Sequence, residues 1–170
     1  MIEFITQKLP LISEKYPLYP SLNFQILKEI KDVTFDMSYK TNVQAQMSGW
    51  NTTTPSIERL NTWVCDILVR ENSFLRDDSG RVSVQSCWVA TYNKDEFTEF
   101  HDHVLSPYSF VYFVKCPKGS SPLLVGERKK RIKAQEGKVV IFPGTLIHGV
   151  PKNKCDGRIV VAGNVVARIK

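Results

Sequence analysis

The chain has 170 residues, with 23 lysine and arginine residues against 17 aspartate and glutamate residues and a formal net charge of +6. That length suits one domain, and apolar and charged fractions of 42% and 24% exclude a disordered or collagenous chain. No run of about 18 apolar residues and no signal-peptide pattern occurs, so we expect a cytoplasmic protein with no membrane partner. The four cysteines form no C-x-x-C pair, which favours reduced thiols.

The first 50 residues predict a short helix and a polar strand. Pro10, Pro17 and Pro20 argue against a continuous helix at the N-terminus. Apolar residues at near-helical spacing predict a helix over residues 21–31, and residues 42–48 are typical of a polar strand.

A second helix gives the clearest signal in the chain. Thr54 can cap it, and Pro55 suits its first turn. Its apolar residues form one stripe at helical spacing: Ile57, Leu60, Val64, Ile67 and Leu68. The turn-rich segment 77–80 follows its predicted end.

From residue 81 the pattern changes to short strands separated by turns. Strands are predicted over residues 82–92, 109–115, 138–142 and 158–166, which are rich in β-branched and aromatic side chains. Helices followed by a run of strands predict a mainly β fold, an antiparallel sandwich or barrel with helices on one face. We expect one domain over 1–170, with helices and a supporting strand in 1–80 and the β core with its site in 81–170.

The three histidines of the chain are the main functional signal. His101 and His103 form an H-x-H pair, and His148 follows a strand that ends in Pro-Gly. Residues two apart on a strand share a face, so the pair can converge while Asp102 faces away. A third imidazole from a distant strand would complete one face of a metal site, with positions left for dioxygen and an organic acid.

Arg158 adds an independent element. It lies ten positions after His148, and a hairpin across the intervening loop would bring it beside the metal. Its planar fork can hold a carboxylate through two parallel hydrogen bonds. Strand alternation puts Val160, Ala162 and Asn164 on the same face, which is typical of a pocket for a polar ligand.

The basic excess concentrates in residues 127–133. Such a run is typical of an exposed hairpin tip or of an edge strand protected by lysine. The alternative is a surface that holds phosphates or an acidic peptide.

Several of these segments resemble the 2-oxoglutarate/Fe(II)-dependent dioxygenase superfamily, and they are most similar to its small prolyl-hydroxylase-like members of bacteria and phages. The resemblance covers roughly residues 88–166. Three segments carry it. They are the H-x-D/E-like segment 101–103, the segment 140–148 with its strand, Pro-Gly turn and histidine, and the segment 158–164 that begins with the basic residue Arg158.

The resemblance implies a double-stranded β-helix (jelly roll, cupin-like barrel) that uses iron(II), 2-oxoglutarate and dioxygen. It assigns His101 and His148 to iron, Arg158 to the far carboxylate of 2-oxoglutarate, and Tyr92 and Tyr112 to hydrogen bonds with the same cosubstrate. The family's carboxylate ligand is replaced here by His103, which we take as the third ligand. Asp102 is a lesser candidate that would require a local bulge.

The function that these residues predict is hydroxylation of an unidentified substrate, with decarboxylation of 2-oxoglutarate to succinate. The substrate class stays open between a peptide, a nucleobase and a small molecule. One alternative is a cupin-type three-histidine metalloenzyme that does not use 2-oxoglutarate. Another is a non-catalytic jelly-roll module whose basic run binds nucleic acid or an acidic partner. The sequence predicts no particular oligomeric state.

Overall fold

The computed structural model describes residues 9–71 and 82–167, so the turn predicted at 77–80 lies outside the described residues. The strands, in chain order, are β1 (Ile12–Lys15), β2 (Val43–Gln44), β3 (Gln46–Met47), β4 (Val82–Tyr92), β5 (Phe97–His101), β6 (Tyr108–Lys115), β7 (Leu123–Val125), β8 (Lys130–Ile132), β9 (Lys138–Pro143), β10 (His148–Val150) and β11 (Arg158–Ala167). They form two antiparallel sheets. The large sheet has the order β1-β9-β6-β11-β4-β3, and the small sheet has the order β2-β5-β10-β7-β8.

The two sheets pack face to face and enclose an apolar layer. Trp88, Phe113 and Phe142 of the large sheet meet Val125 and Val150 of the small sheet in this layer. Strands β4, β6, β9 and β11 match the four predicted strands to within one residue at each end. This architecture is the predicted mainly β jelly roll with flanking helices, and the fold prediction is confirmed.

The helices cover the outer face of the large sheet. Helix α1 (Tyr19–Glu29) continues into a 3-10 turn (Ile30–Asp32). Helix α2 (Pro55–Glu71) comes after strands β2 and β3 in the chain. The Thr54 hydroxyl accepts a hydrogen bond from the Ile57 amide at 3.3 Å, as expected of a cap. The predicted stripe of α2 is fully buried against the sheet. None of the described helices is long and apolar enough to cross a membrane.

The N-terminal part of the chain contributes to both sheets. Strand β1 pairs with β9, β3 pairs with β4, and β2 pairs with β5. The predicted polar strand at 42–48 is therefore two short strands, because the chain passes from the small sheet to the large sheet at Ala45, which is fully buried.

Candidate metal centre and its pocket

Three imidazoles converge at one end of the space between the sheets. His101 ends β5 and pairs with His148, which begins β10, so their rings lie 4.3 Å apart between centroids. The ring of His103 lies 4.9 Å from that of His101 and 5.2 Å from that of His148. The potential ligand atoms are all within 4.8 Å of one another. Small side-chain rotations therefore suffice to bring three nitrogens onto one ion at bonds of about 2.1 Å.

His103 reaches this group from a loop and not from a strand, which corrects the sequence prediction. Strand β5 ends at His101. The His103 amide donates to the Gly144 carbonyl at 2.7 Å, and the Ser106 amide donates to the His103 carbonyl at 2.8 Å. A Cβ on Gly144 would overlap the carbonyl oxygens of Ser106 and His103. Glycine at 144 thus permits the backbone contact that holds the loop of His103 against the loop before His148.

Backbone hydrogen bonds fix the tautomers of two of the rings. The Nδ1–H of His101 donates to the Glu99 carbonyl at 2.8 Å, and the Nδ1–H of His148 donates to the Leu146 carbonyl at 2.9 Å. A carbonyl only accepts, so each Nδ1 carries the proton and each Nε2 keeps its lone pair. Such carbonyl partners are common behind metal-bound histidines.

The site holds the imidazoles in their neutral form. Burial, together with the neighbouring His101, lowers the pKa of His148 to about 3 and that of His103 to about 4. Burial also lowers the pKa of His101 from its usual value. Neutral imidazole is the form that binds a metal.

No described carboxylate joins the three rings. Among the described histidine, cysteine, aspartate and glutamate residues, the group that converges here contains His101, His103 and His148 alone. Asp102 is exposed and lies outside it. The donor set fits a divalent first-row ion, since imidazole accepts iron, zinc, nickel and copper.

Arg158 lies inside the same pocket and is fully buried. Its guanidinium carbon is 4.6 Å from the ring centroid of Tyr92 and 5.6 Å from that of Phe113. Its Nε, Nη1 and Nη2 atoms make no hydrogen bond of good geometry among the described residues, and the groups that oppose the effect of burial on its pKa are the neutral Tyr92 hydroxyl and the thiols of Cys116 and Cys155. Burial lowers its pKa from the usual value, but a guanidinium keeps its proton in proteins. A buried cation without a partner costs several kcal/mol, so this arrangement indicates a missing anion.

The pocket joins His101 and His148 to Arg158. Its enclosed volume is about 30 Å³, and its walls include Val111, Leu123, Val160 and Ala162. The Tyr92 hydroxyl lies 2.7 Å from the Thr98 hydroxyl, and Thr98 stands three residues before His101 on β5. A β-bulge lets the three residues from Thr98 to His101 pair with the two from Val150 to His148, so this part of β5 spans roughly 7 Å and places the imidazoles and Arg158 at opposite ends of a narrow space.

The route by which Arg158 enters the pocket differs from the sequence prediction. His148 is in the small sheet and Arg158 is in the large sheet, so no hairpin joins β10 to β11. The chain instead crosses between the sheets over residues 151–157, and the two side chains meet across the enclosed space. The predicted alternation along β11 does hold for Val160 and Ala162, which line the pocket with Arg158.

Tyr112 does not lie in this pocket. Its neighbour Val111 lines the pocket, whereas Tyr112 belongs to the layer between the large sheet and the helices. The Tyr112 hydroxyl donates to Asn23 Oδ1 of α1 at 2.7 Å. The structure therefore assigns Tyr112 to the packing of α1 on the sheet, in contrast to the predicted cosubstrate contact.

Asn164 also makes contacts within the sheet and does not line the pocket. Its Oδ1 accepts from the Ser109 hydroxyl at 2.9 Å, and its Nδ2 donates to the Ser86 hydroxyl at 3.0 Å. These bonds tie β6, β11 and β4 together on the face that also carries Arg158. The structure thus places Asn164 outside the lining of the pocket, and its contact with a cosubstrate stays a prediction.

Sequence reasoning missed Thr98. Thr98 is buried, lines the pocket and pairs with the Tyr92 hydroxyl. Trp88 forms a wall near the imidazoles, with Trp50 packed edge-on against it at 5.0 Å between ring centroids. Regular alternation from His101 would put Thr98 on the opposite face of β5, and the β-bulge between them, which has no signal in the sequence, brings Thr98 into the pocket.

The fold is the jelly roll seen in several solved prolyl hydroxylases. The chain is similar to the viral collagen prolyl hydroxylase of Paramecium Bursaria Chlorella virus-1, solved as a 2-oxoglutarate complex, with 12% identity, a TM-score of 0.73, and 94% of this chain and 96% of that chain covered. It is also similar to a Pseudomonas putida prolyl-4-hydroxylase, with 13% identity, a TM-score of 0.69, and coverage of 94% and 93%.

A third similar structure is a prolyl hydroxylase of Trichoplax adhaerens in complex with a hypoxia-inducible-factor peptide fragment, with 12% identity, a TM-score of 0.66, and coverage of 91% and 82%. No protein-family model matches the sequence. No curated protein matches it either. At these identities the structural similarity shows the fold alone.

Proposed function

We propose that this protein is an iron(II)- and 2-oxoglutarate-dependent dioxygenase that hydroxylates an organic substrate. The observation that carries the proposal is Arg158, a fully buried guanidinium that makes no hydrogen bond of good geometry among the described residues. It shares one narrow pocket with His101 and His148. A ligand that fits both ends must bind a metal at one end and carry an anionic group at the other, as 2-oxoglutarate does.

The residues of the chain have separable tasks in this proposal. His101, His103 and His148 bind the metal through neutral imidazoles. Arg158 donates two parallel hydrogen bonds to the far carboxylate of 2-oxoglutarate, and Tyr92 holds the guanidinium in place through its ring face. When bound, the iron and 2-oxoglutarate supply the redox chemistry with dioxygen and yield succinate.

The apolar walls of the pocket have a second effect. Val111, Leu123, Val160 and Ala162 exclude water from the space between the imidazoles and Arg158. Low polarity strengthens the attraction between the guanidinium and a carboxylate. It also protects reactive species from water.

The replacement of the family's carboxylate ligand by His103 changes the charge of the site. Three neutral imidazoles leave the two positive charges of the metal uncompensated, and Arg158 adds a third. The two negative charges of 2-oxoglutarate offset most of this excess. We therefore expect metal and cosubstrate to bind cooperatively, each strengthening the binding of the other.

The test is an anaerobic titration of the purified protein with iron(II) and then 2-oxoglutarate, following the visible charge-transfer band of the chelate. We expect a band that saturates near one equivalent. His148→Ala should lose metal retention, because two imidazoles bind iron(II) weakly. Arg158→Ala should retain metal and require at least tenfold more 2-oxoglutarate, from about 1.5–3 kcal/mol for a hydrogen bond to a charged group.

The control variant is Arg59→Ala, which removes an exposed guanidinium on α2 that bonds Gln25 in the helical layer. It should titrate like the wild type. Metal binding without a band would refute the use of 2-oxoglutarate and favour the cupin-type alternative. Absence of stoichiometric metal binding would refute the enzyme assignment and favour a binding module.

A further inference from the structure

Exposed aliphatic side chains surround the candidate metal centre. The mouth loops, residues 102–107 and 143–147, touch through the backbone, since the Gly144 amide donates to the Pro107 carbonyl at 3.1 Å. Leu105 and Val104 are 95% and 66% exposed, and Ile147 is 36% exposed. A single exposed leucine is ordinary, but these three each lie within two residues of an imidazole of the site. Clustered apolar side chains at the mouth of a pocket mark a contact surface.

A basic surface lies beside the mouth loops. The basic hairpin is residues 126–133, the turn after β7, strand β8 and the next residue. Its exposed cations are Arg128, Lys129, Lys130, Arg131 and Lys133, against one exposed acidic residue, Glu127. Across neighbouring strands of the small sheet, His101 pairs with His148, His148 pairs with Val125, and Val125 pairs with Lys130. Two strand spacings of about 4.8 Å therefore put Lys130 roughly 10 Å from His148.

Lys130 also lies on the metal-facing side of the small sheet. Paired residues of antiparallel strands project to the same face, so Lys130 shares the face of Val125 and His148. Ile132, two residues further on β8, is buried in the layer between the sheets, which agrees with this face.

The charge of the hairpin is not balanced by ion pairs. Among the described residues, the salt bridges formed both involve Arg70, which joins Glu14 and Glu71 away from this surface. The mouth loops contain a single acidic residue, Asp102. The surface beside the pocket is therefore positive, and an acidic partner complements it.

We infer that the substrate is an extended polypeptide segment whose apolar target residue contacts the mouth loops and whose acidic residues, three or four positions away, contact the basic hairpin. This inference rests on the proposed dioxygenase function. The spacing follows from the distance of roughly 10 Å, because an extended chain advances about 3.3–3.6 Å per residue. An acidic residue of the segment that contacts Lys130 sets the direction in which the segment runs from the mouth loops.

The shape of the surface favours a polypeptide over a nucleic acid. Single-stranded nucleic acids bind on free aromatic faces. Here Lys129 Nζ covers the ring of Phe100 at 4.8 Å from its centroid, and Trp50 packs edge-on against Trp88.

The experiment measures binding of three fluorescein-labelled 11-residue peptide pools to the protein with iron(II) and 2-oxoglutarate under anaerobic conditions. The pools share a central mixture of valine, leucine and proline, and differ in carrying glutamate, glutamine or lysine three and four positions away. We expect the glutamate pool to bind at least tenfold more tightly than the glutamine pool at 50 mM salt, with the difference reduced at 500 mM. Equal binding of the three pools would overturn the inference.

Charge-reversal variants locate the contact. The hairpin variant changes three neighbouring cations to glutamate: Lys129, Lys130 and Arg131. The matched control changes three exposed lysines outside the hairpin and the mouth loops to glutamate: Lys28, Lys31 and Lys118. The preference for the glutamate pool should vanish in the hairpin variant and persist in the control, and equal loss in both would refute this location.

Two further measurements separate the alternatives. Leu105→Ser should weaken all three pools by a similar factor of about three, since it removes apolar contact and no charge. A fifteen-residue oligo-dT that binds more tightly than the glutamate pool would overturn the inference in favour of nucleic acid. The charge-transfer band is recorded on the same samples, and its absence refutes the dioxygenase proposal, whereas a normal band without acidic preference refutes the peptide inference alone.

Discussion

Replacing Arg158 by methionine should make the metal-free protein more stable while removing its response to 2-oxoglutarate. The guanidinium is fully buried, and its three nitrogens make no hydrogen bond of good geometry among the described residues. Methionine has a similar reach, is apolar, and adapts its shape to the space between Tyr92 and Phe113. The variant therefore removes an uncompensated charge without opening a large cavity.

The magnitude follows from two opposing contributions. Replacement of buried charged groups by apolar side chains of similar volume is neutral or stabilises a protein by about 1–4 kcal/mol. The loss of the cation–π contacts with Tyr92 and Phe113 opposes this by about 0.5–2 kcal/mol. The difference between the middle values, a net gain of about 1 kcal/mol, corresponds to a rise in Tm of about 2–4 °C for a chain of this size.

The assay compares thermal unfolding with and without ligands. Without metal, Arg158→Met should melt above the wild type. With iron(II) and 2-oxoglutarate at one hundred times its Kd, the wild type should gain about 2.7 kcal/mol and the variant should gain only the part due to the metal. Arg59→Met, on the exposed face of α2, should stay within about 0.5 kcal/mol of the wild type in both conditions. A metal-free Arg158→Met variant that melts below the wild type would show that the guanidinium stabilises the fold. That result would contradict the conclusion that Arg158 is an uncompensated cation that binds an anion.

Three further expectations follow from the site and its surroundings. His103→Asp should retain divalent metal at least tenfold more tightly than the wild type when 2-oxoglutarate is absent, because it adds a negative ligand; competition with a chelator measures this. Since the folded-state pKa of His148 is about 3, below the usual 6.5, the metal-free protein should lose stability as the pH falls below about 6.5. The loss is about 1.4 kcal/mol per pH unit from this residue and is measured by urea unfolding. Tyr112→Phe should lower the free energy of unfolding by about 1–3 kcal/mol, because Asn23 loses its partner, and leave the 2-oxoglutarate titration unchanged.

Each of these expectations has a contrary outcome. Equal metal retention by His103→Asp and the wild type would show that residue 103 is not a ligand. A flat stability profile between pH 6.5 and pH 4 would contradict the burial of a neutral imidazole at 148. A changed 2-oxoglutarate requirement in Tyr112→Phe would return Tyr112 to the pocket.

The fold was predictable where the sequence carries long apolar patterns. Strands β4, β6, β9 and β11 are six to eleven residues long and mostly buried, and α2 has a complete apolar stripe. Strands β7, β8 and β10 have three residues each, and β8 is made of Lys-Arg-Ile. Such segments become strands because a neighbour offers an edge, and this tertiary effect leaves no periodicity in the sequence.

The site residues were predictable by chemical type more than by position. His101, His148 and Arg158 were found from motif spacing, and the structure brings them into one pocket. Tyr112 was misplaced because β6 is buried on both faces, against the helices and against the small sheet, so apolar alternation cannot tell one face from the other. The backbone contact through Gly144 that positions His103 joins loops about forty residues apart and has no local signature.

Strand β11 has two faces with separate consequences for protein engineering. Ile159, Val161 and Val165 anchor the helices, whereas Arg158 and its alternating neighbours line the pocket. Gene libraries randomised at Val160 and Ala162 would therefore alter the width of the chamber while leaving the helix-bearing layer intact. Directed evolution of cosubstrate or substrate scope can start from these two codons with apolar side chains of similar volume, since both residues are buried between the sheets.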